Sequence, residues 1–187
     1  MKVIPLFKNR SALVARAMKQ DRKAQQELFE KFSPKMLGVC RMYIKDLHHA
    51  EDVMLGAFFK AFSHLSDFQD KGSFEGWLRR IMIRESISFL RTQKKLEFTE
   101  ELIMENADSF NEVESNMEVE HIQQLIDGLP EGYRMVFVMY AIEGYKHREI
   151  AELLKIDEGT SKSQLFKARK LLQEQLKTFK KTNYATT

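Results

Sequence analysis

Arg148-Glu149-Ile150-Ala151-Glu152-Leu153-Leu154, Lys155-Ile156-Asp157 and Glu158-Gly159-Thr160-Ser161-Lys162-Ser163-Gln164-Leu165 follow one another without a break. Their residue types describe two helices joined by a tight turn. Helices that cross closely need a small side chain at the crossing, and Ala151 supplies it. The turn needs an apolar anchor, and Ile156 supplies that. Beyond the turn, Leu165, Ala168, Leu172 and Leu176 make one apolar stripe at helical spacing. The opposite face carries Lys162, Ser163, Phe166, Lys167 and Lys170. Lysine reaches phosphates or a guanine edge, serine donates or accepts, and a phenylalanine can touch a thymine methyl. Turn, small residue and basic face coincide, which points to a recognition helix for the major groove rather than a merely solvated face.

Working outward, apolar residues recur at helical spacing almost everywhere. Just upstream, Tyr133, Val136, Phe137 and Tyr140 share a helical period, Leu129-Pro130 starts that helix and Gly144 stops it. In the first half, Ser11 can cap a helix through Met18, and Asp21 can cap another with Ala24, Leu28 and Phe32 on one face. Ser33-Pro34 reads as a new helix start reaching about Lys45. A helix from about His48 to Leu65 points Val53, Ala57, Phe58 and Ala61 inward. Residues 66–72 read as a loop, and Ser73 caps a long helix to about Lys95.

Charge divides the chain. Residues 1–95 carry 19 basic and 10 acidic side chains, residues 96–120 carry nine acidic and no basic ones, and residues 121–187 carry 11 basic and eight acidic ones. The fold expected is all-α: a helical domain over 1–95, an acidic linker over 96–118 and a helix-turn-helix domain over 119–187. The basic blocks suit a polyanionic partner. In the first domain, Arg80, Arg84, Arg91 and Lys95 fall within about 60° of one another around their helix, with Trp77 and Ser88 on the same stripe. Cations beside aromatics suit single-stranded DNA, where base stacking on an aromatic is worth about 1–3 kcal/mol. Trp77 is equally well read as a core residue.

Other classes fit poorly. Cys40 is the single cysteine, so no internal disulfide forms, and a reducing cytoplasm is expected. The start, Met1 to Lys8, has too short an apolar stretch for a signal peptide, and the longest apolar run, Met135 to Ile142, is too short to span a bilayer. No membrane insertion is expected. His48-His49 beside Glu51-Asp52 could be imagined as a metal site, but neighbouring histidines on a helix diverge by about 100°. No phosphate-cradling glycine loop or nucleophile elbow is present. Neither an enzyme, a cofactor nor a metal is expected.

The ordered motifs Ala50-Glu51-Asp52, the apolar run Val53 to Phe62, Gly72-Ser73-Phe74, Trp77-Leu78-Arg79-Arg80-Ile81, Leu129-Pro130, Gly144-Tyr145, Glu149-Ile150-Ala151, Gly159-Thr160, Lys162-Ser163 and Ala168-Arg169 resemble bacterial sigma-70 family factors of the extracytoplasmic-function class. The resemblance runs from about Asp21 to Leu176. It implies a factor that binds core RNA polymerase, at its beta and beta-prime subunits, and directs promoter recognition, DNA melting and transcription initiation. Asp52, Leu55, Gly56, Phe58, Phe59 and Phe62 would bind the polymerase clamp. Phe68 would line the pocket for a base flipped from the minus-ten element, with Lys71, Trp77, Arg80, Arg84 and Arg91 nearby. Thr160, Lys162, Ser163, Phe166, Lys167 and Arg169 would read the minus-thirty-five duplex. The acidic linker would thread toward the active-site cleft and the RNA exit path. An anti-sigma factor is a further partner that the resemblance implies.

The chain departs from the family pattern at Leu55-Gly56, where Gln-Glu is usual, and at Arg84 and Ser88, where Asn and Asp are common. Two other functions remain open at this point. One is a sigma-like decoy that sequesters an anti-sigma factor. The other is a helix-turn-helix regulator independent of polymerase, which would need neither the first-domain motifs nor the acidic linker.

Overall fold

The computed structural model describes residues 8–69, 72–93 and 117–184, and every regular element among them is helical. In order these are α1 (Lys8–Met18), α2 (Arg22–Tyr43), α3 (Leu47–Ser63), a 3-10 turn (Leu65–Asp67), α4 (Phe74–Gln93), α5 (Met117–Asp127), α6 (Glu131–Phe137), a π-helical turn (Val138–Ile142), α7 (His147–Leu154) and α8 (Glu158–Tyr184). The chain divides into two compact units between Leu90 and Arg91. No described helix is long and apolar enough to cross a membrane. Lys71, Lys95 and the acidic linker up to residue 116 lie outside the described residues.

In the first unit, Asp21 starts α2 by accepting from the Lys23 and Ala24 N–H groups, at 3.0 and 3.1 Å. The Ala24 N–H and the neighbouring Arg16 hold its carboxyl below the ordinary value. That contribution is therefore present at neutral pH and is lost as the pH falls through the lowered value. Ala24, Leu28, Phe32, Met36, Val39, Cys40 and Tyr43 form the buried stripe of α2. The stripe runs straight past Pro34, so the helix start expected at Ser33-Pro34 does not occur. Pro34 lies on the exposed face of one continuous helix, where its missing N–H bond falls on the solvent side and burial on either side outweighs the loss. Ala50, Ala57 and Ala61 of α3 are fully buried, which lets α2 and α3 pack closely. Phe29 and Phe58 meet edge to face at 4.9 Å. Cys40 sits against Met82, and burial pushes its thiol up to about 11, so it acts as a packing residue.

The second unit packs α6 and α7 on α8. Its core includes Leu125, Ile126, Leu129, Met135, Val136, Met139, Ile150, Leu154, Leu165 and Ala168. The buried Arg134 pairs with the half-buried Asp127 at 3.7 Å and ties α6 to the end of α5. The helix expected to continue regularly to Gly144 instead widens at Val138–Ile142, where the Glu143 N–H donates to the Val138 carbonyl at 3.0 Å. The extra residue in the turn rotates the side chains after it by about 100°. Tyr140, expected on the inner face, lies within this turn and is exposed, and Tyr133 and Phe137 are half-buried, because the core takes Met135, Val136, Val138 and Met139 instead. Gly144 ends the turn with φ +77. The stripe expected on α8 is also shorter than its spacing suggests. Leu165 and Ala168 are buried, Leu172 is half-buried and Leu176 is exposed, because α8 has 27 residues and outruns the helices of 11, 7 and 8 residues beside it.

Gly56 lies in the interior of α3, and a Cβ built there meets nothing within 4 Å. Gly56→Ala is expected to stabilise the first unit by about 0.5–1 kcal/mol. Equilibrium urea unfolding should show a raised midpoint at unchanged slope, whereas a lowered midpoint would contradict this account of α3.

Candidate nucleic-acid interface

Three surfaces carry the residues singled out from the sequence. The first is the outer face of α3. Asp52 and Gly56 are exposed, Leu55 is 50% exposed and Phe59 is 76% exposed. Phe62 is half-buried. Phe58, expected among the polymerase-binding residues, is only 2% exposed and packs on Phe29 and Phe62. It belongs to the core, because the period that turns Leu55 and Phe59 outward turns Phe58 inward with Ala57 and Ala61. Leu47, half exposed at the start of the same helix, was not singled out from the sequence. Leu47, Leu55 and Phe59 thus form an apolar ridge that the described residues leave exposed.

The second surface is the start and outer face of α4. Gly72, with φ +128, lets the chain turn into the helix, and Ser73 caps it by accepting from the Gly76 N–H at 3.0 Å. Phe68 is 9% exposed, with its ring against Phe74 at 5.7 Å and Trp77 at 5.6 Å. Phe74 in turn meets Phe32 of α2 at 5.5 Å. Phe68 thus fastens the loop to the helix through an aromatic cluster, and Trp77 is half-buried at its edge. Arg80, Arg84, Ser88 and Arg91 lie exposed along α4. Lys60 to Glu85, at 2.6 Å, and Lys35 to Glu75, at 2.5 Å, brace the flanks.

The third surface is the helix-turn-helix of α7 and α8. Glu149 accepts from the Lys146 N–H at 2.8 Å and fixes the start of α7. Lys155 closes it in the left-handed region, at φ 58 and ψ 47, and the Ile156 N–H donates to the Ala151 carbonyl at 3.1 Å. On α8, Phe166 is 72% exposed, Lys162, Ser163, Arg169 and Lys170 are exposed, and Thr160 and Lys167 are half-buried. Ser163 donates to the Thr160 carbonyl at 3.0 Å. Lys162 pairs with Glu158 at 2.7 Å, which holds the Glu158 carboxyl below its ordinary value.

One constellation on this third surface is invisible to sequence reasoning. The His147 ring stacks on Tyr140, with centroids 4.6 Å apart and planes at 23°. His147 Nδ1 lies 2.9 Å from the Oγ of the buried Ser161. The Arg169 guanidinium sits over the Tyr140 ring at 5.6 Å. Burial holds the His147 imidazole below its ordinary value, Lys162 and Arg169 add to this, and Glu158 opposes it. The partners lie 7, 14 and 22 positions from His147, so no local pattern announces them.

Comparison with known proteins matches the chain in two successive segments. The family model for sigma-70 region 2 matches residues 28–96, and that for sigma-70 region 4 matches residues 120–172. The chain is 25% identical to the ECF RNA polymerase sigma-E factor of Haemophilus influenzae, over 88% of this chain and 94% of that protein. It is 29% identical to the ECF RNA polymerase sigma factor SigW of Bacillus subtilis, over 88% of this chain and 97% of that protein. In fold it is similar to CnrH, solved in complex with the cytosolic domain of CnrY. That likeness has a TM-score of 0.53 and 21% identity, over 90% of this chain and 97% of that one. The sigma factor RpoE of Bartonella quintana, solved with the anti-sigma factor NepR, gives a TM-score of 0.53 and 19% identity over 81% and 96%.

The burial contrast on the second surface separates scaffold from surface. Phe68→Ala is expected to destabilise the first unit by about 3 kcal/mol, as for other buried phenylalanines. Arg84→Ala, on the exposed face, should stay within about 0.5 kcal/mol of the parent. Thermal melts of the two variants check this, and equal stabilities would show that Phe68 does not anchor the loop.

Proposed function

The chain belongs to the sigma-70 family, in its extracytoplasmic-function class, and from that membership we propose that it docks on core RNA polymerase through α3 and reads promoter DNA with α4 and α8. It is a transcription initiation factor. In this reading it performs no chemistry itself, acts in the cytoplasm where the polymerase is, and gives that enzyme its choice of promoter.

The observation that carries the reading is the division of α8 into two faces. Ser161, Leu165 and Ala168 are buried while Lys162, Ser163, Phe166 and Lys170 face outward. Set in a major groove, that outer face offers ammonium groups to phosphates or guanine edges, a hydroxyl to either kind of base edge and an aromatic ring to a thymine methyl. Duplex contact by this helix fixes register over the minus-thirty-five element. Arg80, Arg84 and Arg91 then follow the single strand at the minus-ten element. The Phe68–Phe74–Trp77 cluster backs the pocket for an unstacked base, whose capture offsets an opening cost of a few kcal/mol.

The ridge of Leu55 and Phe59 is the proposed polymerase contact. Where the family usually offers two polar side chains, Leu55-Gly56 offers apolar area, so docking here rests on burial rather than on hydrogen bonds. An anti-sigma protein is the second partner proposed, in line with the solved complex of RpoE with NepR. A decoy that only sequesters such a protein would have no use for the outward basic face of α8.

Size-exclusion chromatography with bacterial core RNA polymerase tests the docking. A stoichiometric complex is expected, and Phe59→Ala should weaken it by about tenfold or more without lowering the melting temperature, as loss of a central aromatic anchor does. No complex at micromolar concentrations would overturn the reading. Lys167→Ala should weaken duplex binding and reduce the slope of log affinity against log salt by about 1. An unchanged slope would remove Lys167 from the phosphate contacts.

A further inference from the structure

We propose that His147 is a third cationic member of the DNA-contacting edge formed by Lys162 and Arg169, and that it takes up a proton when duplex DNA docks. The inference rests on α8 as the duplex-reading helix and extends that reading to a residue which neither the family match nor the motif spacing picks out.

Geometry carries the argument. His147 opens α7, and its ring is held from two directions, by the face of Tyr140 at 4.6 Å and by Ser161 Oγ at 2.9 Å. Tyr140 reaches the ring from the exposed side of the π-helical turn Val138–Ile142. Ser161 is buried inside α8, so the imidazole is fixed relative to the recognition helix. The charged groups facing it are Lys162, Arg169 and Glu158, all from α8. Tyr140 is the titratable group from the π-helical turn.

Free of DNA, this setting favours the neutral ring. The ring is partly desolvated, two cations stand nearby, and the single facing carboxylate is already bonded to Lys162 at 2.7 Å. A docked phosphate reverses the balance. It draws Lys162 from Glu158, screens Lys162 and Arg169 from the ring, and adds negative charge beside it. The imidazolium that forms keeps Nδ1–H toward Ser161 Oγ and has Nε2–H to donate to a phosphate oxygen. The proton comes from solvent. Between the lower value of the free protein and the higher value of the complex, binding therefore consumes a proton and tightens as pH falls.

The experiment is isothermal titration of the full chain with a short mixed-sequence DNA duplex at low salt, in buffers of equal pH and different ionisation enthalpy. Uptake of a substantial fraction of a proton per chain is expected near the ordinary histidine value of 6.5. Between about pH 8 and about pH 6 the affinity should rise up to about tenfold more for the parent than for His147→Gln, the effect of a shift of about one unit. A proton NMR titration of the His147 ring with and without the duplex needs no variant, and its midpoint should rise on binding. Equal uptake in His147→Gln and the parent, or an unmoved His147 midpoint, would overturn the inference while leaving the DNA-reading helix intact. Absence of duplex binding in the parent itself would overturn both.

Discussion

The structure depends on close helix crossings at small side chains. Ala17, Ala24, Ala50, Ala57 and Ala61 in the first unit, and Ala168 in the second, are fully buried. Axes of packed helices approach to about 8–10 Å, the distance being set by the side chains at the contact. Once alanines fix those inner faces, the 3.6-residue period fixes the outer ones. Ala57 and Ala61 inward means Leu55 and Phe59 outward, and Ala168 inward means Lys162, Phe166 and Lys170 outward. The exposed apolar ridge and the exposed basic face are thus consequences of how the cores are packed.

Most of this was legible in the sequence because helical period and capping chemistry are local. Asp21 and Ser73 cap the helices that their positions announce, and α7 and α8 start at His147 and Glu158 as their spacing predicts. The failures share one cause, which is that a partner distant in sequence decides the outcome. Pro34 is tolerated because burial continues on both sides of it. Tyr140 turns outward because the core of the second unit takes Met135, Val136, Val138 and Met139 instead. Leu176 is exposed because the neighbouring helices are too short to cover it. The His147–Ser161 contact needs α7 and α8 already folded together before it can form.

The surfaces differ in how a partner would be held. On α3 the gain would be apolar area removed from water, which is non-directional and is not weakened by salt screening. On α8 the gain comes from cations near phosphates, which falls steeply with salt and carries little sequence information by itself. In the proposed reading, sequence choice would then fall to the few outward groups that can meet a base edge, Ser163 and Phe166 among them. Under the proposed function, modest single contacts would leave the chain alone a weak binder of promoter DNA, with selectivity arising once the polymerase supplies the rest.

The most direct measurement is permanganate footprinting of a promoter from the source organism with the chain, core RNA polymerase or both present. Reactive thymines over the minus-ten element are expected only when chain and core are combined, together with protection of the minus-thirty-five element. Protection that is the same with and without core, with no reactive thymines in either case, would contradict the account and leave a duplex-binding protein that works without polymerase.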